Sequence, residues 1–292
     1  MRPLRATSLP GVRADLTSEL QVAATSIAAA GNTRIADVFA RQAQQMETAS
    51  LWWVTPDMAT LAADTALSGG EMPAWDRDPE TRSGLLVWAG GLPVRIENRS
   101  RHGGHDRAVT VDAVSWATMP EWSQDPEMGH LRVEAWTRTG ADRYPLRLIT
   151  TELGDGRDER IMIGDEIVTA QVAIWRILCA TMLLAAQPRV GATRAASFRE
   201  DGSAKDTRDR TIPGVVVIEL RTVRDWTIGP TGTADGGSRE YSHRWIVRGH
   251  MSTYYVGPRG NQRAEKRWIA PYVAGPEGAP LMPKEHVWVW RR

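Results

Sequence analysis

Tyr241 to Tyr272 reads YSHRWIVRGHMSTYYVGPRGNQRAEKRWIAPY, and it packs basic, aromatic and imidazole side chains more densely than any other segment of the chain. Period-two alternation makes its first part a strand. On that reading Tyr241, His243, Trp245 and Val247 point one way, and Arg244, Ile246, Arg248 and His250 the other. The first set is bulky and suited to a core. The second lines up two guanidinium groups and an imidazole. Gly249 permits a bulge or a close backbone approach. Tyr254, Tyr255 and Val256 resume a strand, Gly257-Pro258 punctuates it, Arg259 to Gln262 form a loop tip, and Lys266 to Ile269 return. The expectation is one sheet holding Tyr241–Val247 and Lys266–Ile269, with Arg244, Arg248 and His250 on its open face. Trp245 and Val247 then pack inward, and burying two unpaired arginines would be strongly unfavourable. The rival outcome pairs both Arg244 and Arg248 with carboxylates of the earlier part of the chain, which would make the cluster a docking device and remove the ground for nucleic-acid binding.

The last residues extend the pattern. YSHRWIVRGH, then aromatics, a Gly/Arg loop, RWIAPYVAGPEGAPL and a terminal VWVWRR resemble the C-terminal motif of a family of uncharacterised actinobacterial and actinophage proteins. The match runs from Ser238 to Arg292, with weaker support from AIWRILCATMLLAAQP near the middle of the chain. The resemblance implies a source in actinobacteria or their phages and a long apolar helix, and it implies no activity. In that family a second basic residue follows the RGH soon after, whereas Met251 and Ser252 follow His250 here.

The chain of 292 residues has an ordinary apolar content of 42% and a formal net charge of +1. That balance conceals an asymmetry. Residues 238–292 hold ten Lys and Arg against four Asp and Glu, so they carry +6 and the remainder −5. A basic end meets a polyanion or docks on the acidic remainder. The single cysteine, Cys179, lies in an apolar run, which excludes an intrachain disulfide and a cysteine-based zinc cluster. The N-terminal MRPLRATSLPGVRADL has no apolar signal core, and a cytoplasmic location is expected.

In order along the chain, residues 1–14 read as an irregular arm with Pro3 and Pro10. Leu16 to Ala30 reads as a helix stopped by Gly31. Asn32 or Thr33 caps a second, with Ile35, Val38, Phe39, Gln42 and Met46 on one side. Thr55-Pro56 opens a third, running to about Leu67. An ordinary helical hairpin outweighs a DNA-binding helix-turn-helix, because the second helix offers Arg34 and Arg41 against Asp37 and Glu47. After a linker at 68–84, short strands are expected at Leu85–Trp88, Pro93–Ile96, Ala108–Trp116, Leu131–Thr137 and Tyr144–Leu153. Thr169 to Gln187 is apolar on nearly every side and ends at Pro188. Arg176 in its interior would cost about 3 kcal/mol in a bilayer, so a buried core helix and no membrane span are expected. Residues 189–210 read as a second linker, Val215 to Val223 as a strand, and His286 to Arg292 as a terminal strand with Trp288 and Trp290 on one face. The fold class is α+β, in three regions: a helical one at 1–68, an α+β one at 84–188 ending in the buried helix, and a basic β-rich one at 211–292.

Chemical motifs are sparse. GxxxxGK[ST], GxSxG, HExxH and CxxC are all missing from the sequence. LVWAGGLPVRI lacks GxGxxG spacing. His102 and His105, with Asp106 or His130 near, sit among arginines in a Gly-Gly loop and read as a solvated loop, so neither a metal nor a cofactor is expected. The leading expectation is nucleic-acid binding, DNA or RNA, by Arg244, Arg248, His250, Tyr254, Tyr255, Arg259, Arg263, Lys266 and Arg267, with arginines on phosphates and a tyrosine stacked on bases. A second reading is metal-independent phosphodiester cleavage of the toxin-ribonuclease type. There His250 and Tyr254 or Tyr255 would transfer protons, and Arg248 would meet the developing charge. His243 is the poorer histidine, since alternation gives it to the core face. A third is a non-catalytic scaffold that pairs its C-terminal strand with a protein partner or a second copy.

Overall fold

The SLWWV segment at Ser50–Val54, strand β1, lies between two parallel neighbours at the centre of a seven-stranded sheet. Its side chains alternate between two cores. Leu51 and Trp53 face one, Trp52 and Val54 the other. The computed structural model describes residues 4–69, 71–73, 75, 83–92, 95–98, 107–118, 131–138, 146–148, 160–163, 166–197, 211–221, 242–276 and 278–282.

Helix α1 spans Leu9–Ala29, α2 Thr33–Glu47, α3 Pro56–Leu67 and α4 Ala170–Ala185. The further strands are β2 (Gly84–Trp88), β3 (Arg95–Asn98), β4 (Arg107–Thr110), β5 (Ala113–Thr118), β6 (Leu131–Arg138), β7 (Leu146–Leu148), β8 (Arg160–Ile163), β9 (Glu166–Thr169), β10 (Gly191–Ser197), β11 (Thr211–Leu220), β12 (Trp245–Val247), β13 (His250–Val256), β14 (Arg263–Ile269) and β15 (Tyr272–Ala274). The large sheet has the order β10-β11-β1-β2-β5-β6-β7. Its β11-β1 and β1-β2 pairs are parallel and the other four antiparallel. The fold is α+β, as the composition of elements led one to expect.

Alternation along every central strand feeds both faces. Leu85, Val87, Val215, Val217 and Trp136 meet α1 and α2 on one side, and Leu86, Trp88, Val114, Trp116 and Ile218 meet α3 and α4 on the other. Trp88, Trp116 and Trp136 are fully buried. Truncating such a tryptophan to alanine costs about 3–5 kcal/mol.

The local signals for helices hold. Asn32 caps α2, its side chain accepting from the Ile35 amide at 3.3 Å. Thr55-Pro56 opens α3. The helix expected at 169–187 is α4, with Ile177, Leu178 and Leu184 buried. Arg176 in that helix has a structural reason, because its Nε donates to the Ala66 carbonyl at 3.2 Å, in the last turn of α3. A cation there also complements the helix dipole. No helix among the described residues is long and apolar enough to cross a membrane.

Four expectations are corrected. α1 begins at Leu9, well inside the stretch read as an irregular arm, since Pro10 falls in its first turn where no amide donor is needed. β1 lies inside the region read as helical, and β10 inside the 189–210 stretch read as a linker. The Ala108–Trp116 run is two strands, β4 pairing β3 and β5 joining the large sheet. His102, His105, Asp106, His130 and the terminal strand at His286–Arg292 lie outside the described residues.

Candidate nucleic-acid interface

The C-terminal part is one long β-hairpin with a break in the middle. β12 pairs β15, with Val247 opposite Tyr272. β13 pairs β14, starting three residues on with His250 opposite Ile269. The register therefore runs unslipped through the break at Arg248-Gly249 and Ala270-Pro271. The break has a covalent cause. Pro271 has no amide to donate, and a Cβ on Gly249 would sit 2.7 Å from both the Ile269 carbonyl oxygen and Pro271 Cδ. Only glycine lets the two strands approach there.

The base of the hairpin belongs to the core and its far half does not. Ile246 is buried, and Trp268, Ala270 and Val273 pack against the α3–α4 side. Beyond them Thr253, Tyr254, Tyr255, Arg259, Arg263, Ala264, Lys266 and Arg267 are all exposed. The tip turns through Gly257 to Gln262, closed by the Asn261 amide donating to the Pro258 carbonyl at 2.9 Å. This is a projecting two-stranded arm.

Cross-strand partners share a face. One face carries His250, Ser252, Tyr254 and Val256 beside Ile269, Arg267, Glu265 and Arg263. The Arg267 guanidinium lies 5.5 Å from the Tyr254 ring centre, and its Nε and Nη2 each donate to Glu265 at 3.3 Å. The other face carries Met251, Thr253 and Tyr255 beside Trp268, Lys266 and Ala264. Tyr255 is 69% exposed and Tyr254 42%.

The structure departs from the expected arrangement at four points. Tyr241 lies outside the described residues, and Trp245–Val247 pairs with Tyr272–Ala274 rather than with Lys266–Ile269. The return strand also starts earlier, at Arg263, because a ribbon wet on both faces shows no apolar alternation to read. The inward side chain of β12 is Ile246, with Trp245 and Val247 only half-buried and His243 exposed. Finally, Arg244 is not on an open face. Its Nη2 meets Asp57 Oδ2 at 2.8 Å and its Nε donates to the Ala279 carbonyl at 2.6 Å. A Cβ on Gly275, whose φ is +116°, would meet Arg244 Cα at 2.8 Å, so a glycine turn seats this arginine. Arg244 thus takes the docking role that was the rival expectation.

Arg248 behaves differently. It is exposed, and no ion pair joins it to another described residue. It borders a small pocket that also includes Asp64, Glu71 and Trp268. The proposed catalytic group is not gathered. His250 and Tyr254 are four positions apart on one strand, about 13 Å at the rise of a β-strand. His250 and Tyr255 are on opposite faces.

A second basic site is not visible in any local window of residues. Arg189 precedes β10 and Arg221 follows β11, and the Gly191–Leu220 register, continued one step, sets Val190 rather than Arg189 opposite Arg221. With Asp57, Arg244 and Tyr272 they border one cleft. Among the described residues no three His, Cys, Asp or Glu side chains gather in a way that could hold a metal. No protein-family model matches the chain, and no curated protein matches its sequence.

Proposed function

We propose that the protein binds nucleic acid through the β13–β14 arm. The observation that carries this is the arm itself, a projecting ribbon whose exposed side chains are basic and aromatic. Between residues 248 and 267 it sets Arg248, Arg259, Arg263, Lys266 and Arg267 against one carboxylate, Glu265. A ribbon with so little core has no folding reason to concentrate cations, which repel one another until an anion neutralises them. The B-DNA major groove admits a two-stranded ribbon, whereas the A-form RNA groove is too narrow. Duplex DNA is therefore the favoured ligand. Tyr254 and Tyr255, on opposite faces, would add about 1–3 kcal/mol for each base they stack on in a single strand.

The test is a titration of labelled duplex DNA and labelled single strands with the whole protein at low salt. Binding of duplex that survives Tyr254→Ala with Tyr255→Ala but weakens in Arg263→Glu supports groove entry. Loss of single-strand binding alone in the tyrosine variant points to stacking instead. No binding to either ligand at low salt overturns the reading. The separation of His250 and Tyr254 lends no support to metal-independent phosphodiester cleavage.

A further inference from the structure

The carboxyl end of β11, the start of α3, the residues before β10 and the base of the arm border an open cleft of about 390 Å³. That is the size of a pocket for a small organic ligand. Its position matches a general tendency of open α/β sheets, which bind ligands beyond the carboxyl ends of parallel strands. Among the described residues that border it, three arginines stand against one carboxylate, Asp57. Arg244 is committed to Asp57 and to the Ala279 carbonyl. Arg189 and Arg221 are exposed and make no ion pair with any described residue. The Arg221 amide donates to the Val190 carbonyl at 2.8 Å, which fixes the two arginine backbones one ladder step apart. Both arginines nevertheless border the same cleft, and guanidinium forks bind phosphate oxygens in a bidentate way.

The remaining walls are not those of a bare phosphate site. The cleft is far larger than one phosphate. Val190, Leu220 and Val273 give it apolar surface, and Tyr272, 38% exposed, contributes an aromatic ring. Asp57 keeps its side chain 42% exposed although it is paired with Arg244. A carboxylate of this kind accepts from sugar hydroxyls. We infer that the cleft binds a nucleoside phosphate, with Arg189 and Arg221 on the phosphates, Tyr272 against the base and Asp57 at the ribose. This site is separate from the exposed half of the arm and does not rest on DNA binding there.

Isothermal titration of the whole protein with ATP, AMP and inorganic tripolyphosphate tests it. ATP or AMP should bind saturably. Arg189→Ala with Arg221→Ala should weaken that binding at least tenfold. Tyr272→Ala should weaken ATP while leaving tripolyphosphate alone. Arg263→Glu with Lys266→Glu, on the arm, should change neither, which separates this result from any failure of DNA binding. Both cleft arginines are exposed. Should the double variant nevertheless melt early, Arg189→Gln and Arg221→Gln are read singly in the same way. Absence of saturable nucleotide binding, or an affinity unchanged by the arginine variants, overturns the inference. Tripolyphosphate binding as tightly as ATP overturns its nucleoside part.

Discussion

Arg244 holds Asp57 at 2.8 Å across 187 positions of sequence. The same guanidinium bonds the Ala279 carbonyl, and the Arg244 backbone exchanges hydrogen bonds with Pro280 and Met282. One side chain thus fastens three parts of the molecule: the start of α3, the base of the arm and the segment after β15. An arm that reaches a ligand transmits force to its root, and this is where the root is fixed.

Removing that fastening should be costly. Arg244→Ala should lower unfolding stability by about 1–3 kcal/mol, since it removes a charge-assisted pair and a bond to a carbonyl. Asp57→Asn should cost about 1 kcal/mol or less, because its amide oxygen still accepts from Arg244. Urea denaturation gives both values. Equal losses in the two variants would mean that the Ala279 bond contributes nothing.

Gly249→Ala should disturb the break in the hairpin. The added Cβ would press on the Ile269 carbonyl and Pro271, which are not flexible groups. Overpacking of this kind costs roughly 1–3 kcal/mol. The expected readout is a lower melting temperature together with faster proteolysis within the arm. Gly260→Ala at the tip, where a Cβ meets nothing but φ is +94°, should cost less and leave the base protected. A Gly249→Ala protein as stable and as protease-resistant as wild type would contradict the close approach.

Glu19 gives a prediction in pH. Burial pushes its carboxyl above the ordinary glutamate range, and its Oε2 is buried without a hydrogen-bond partner. A raised pKa means that the folded protein holds the proton more tightly than the unfolded chain. The contribution of Glu19 to stability is therefore fully present below the ordinary value and is lost as pH rises through the raised one. Glu19→Gln should raise the urea midpoint at neutral pH, and the gain should shrink as pH falls. A gain that does not change with pH would point to packing rather than charge.

Much of the helical framework is legible in the residues. Asn32, Thr55-Pro56 and the apolar run before Pro188 mark helices by local chemistry alone. β1 is not legible in the same way. A strand buried on both faces between parallel neighbours is a short apolar run with no alternation between polar and apolar. β10 hides for another reason, since Thr193, Arg194 and Ala195 on this edge strand are exposed and read as a linker. At the arm, Gly257-Pro258 announced the turn, and the density of cations and tyrosines marked the region. Which arginine stays free was not readable. Arg244 and Arg248 look alike in sequence, and only the distant Asp57 separates them. Arg189 and Arg221 border one cleft solely because β10 pairs with β11, so no local window contains that cleft.

The arm is proposed to meet the phosphates of nucleic acid. Anisotropy of a labelled DNA duplex, titrated with the whole protein over a potassium chloride series, tests it most directly. Affinity should fall linearly with salt on logarithmic axes, with a slope of about −0.9 for each phosphate neutralised. Arg263→Glu with Lys266→Glu should weaken binding and make that slope shallower by roughly one unit or more. Binding that is absent at low salt, or a slope that these two substitutions leave unchanged, would contradict the account.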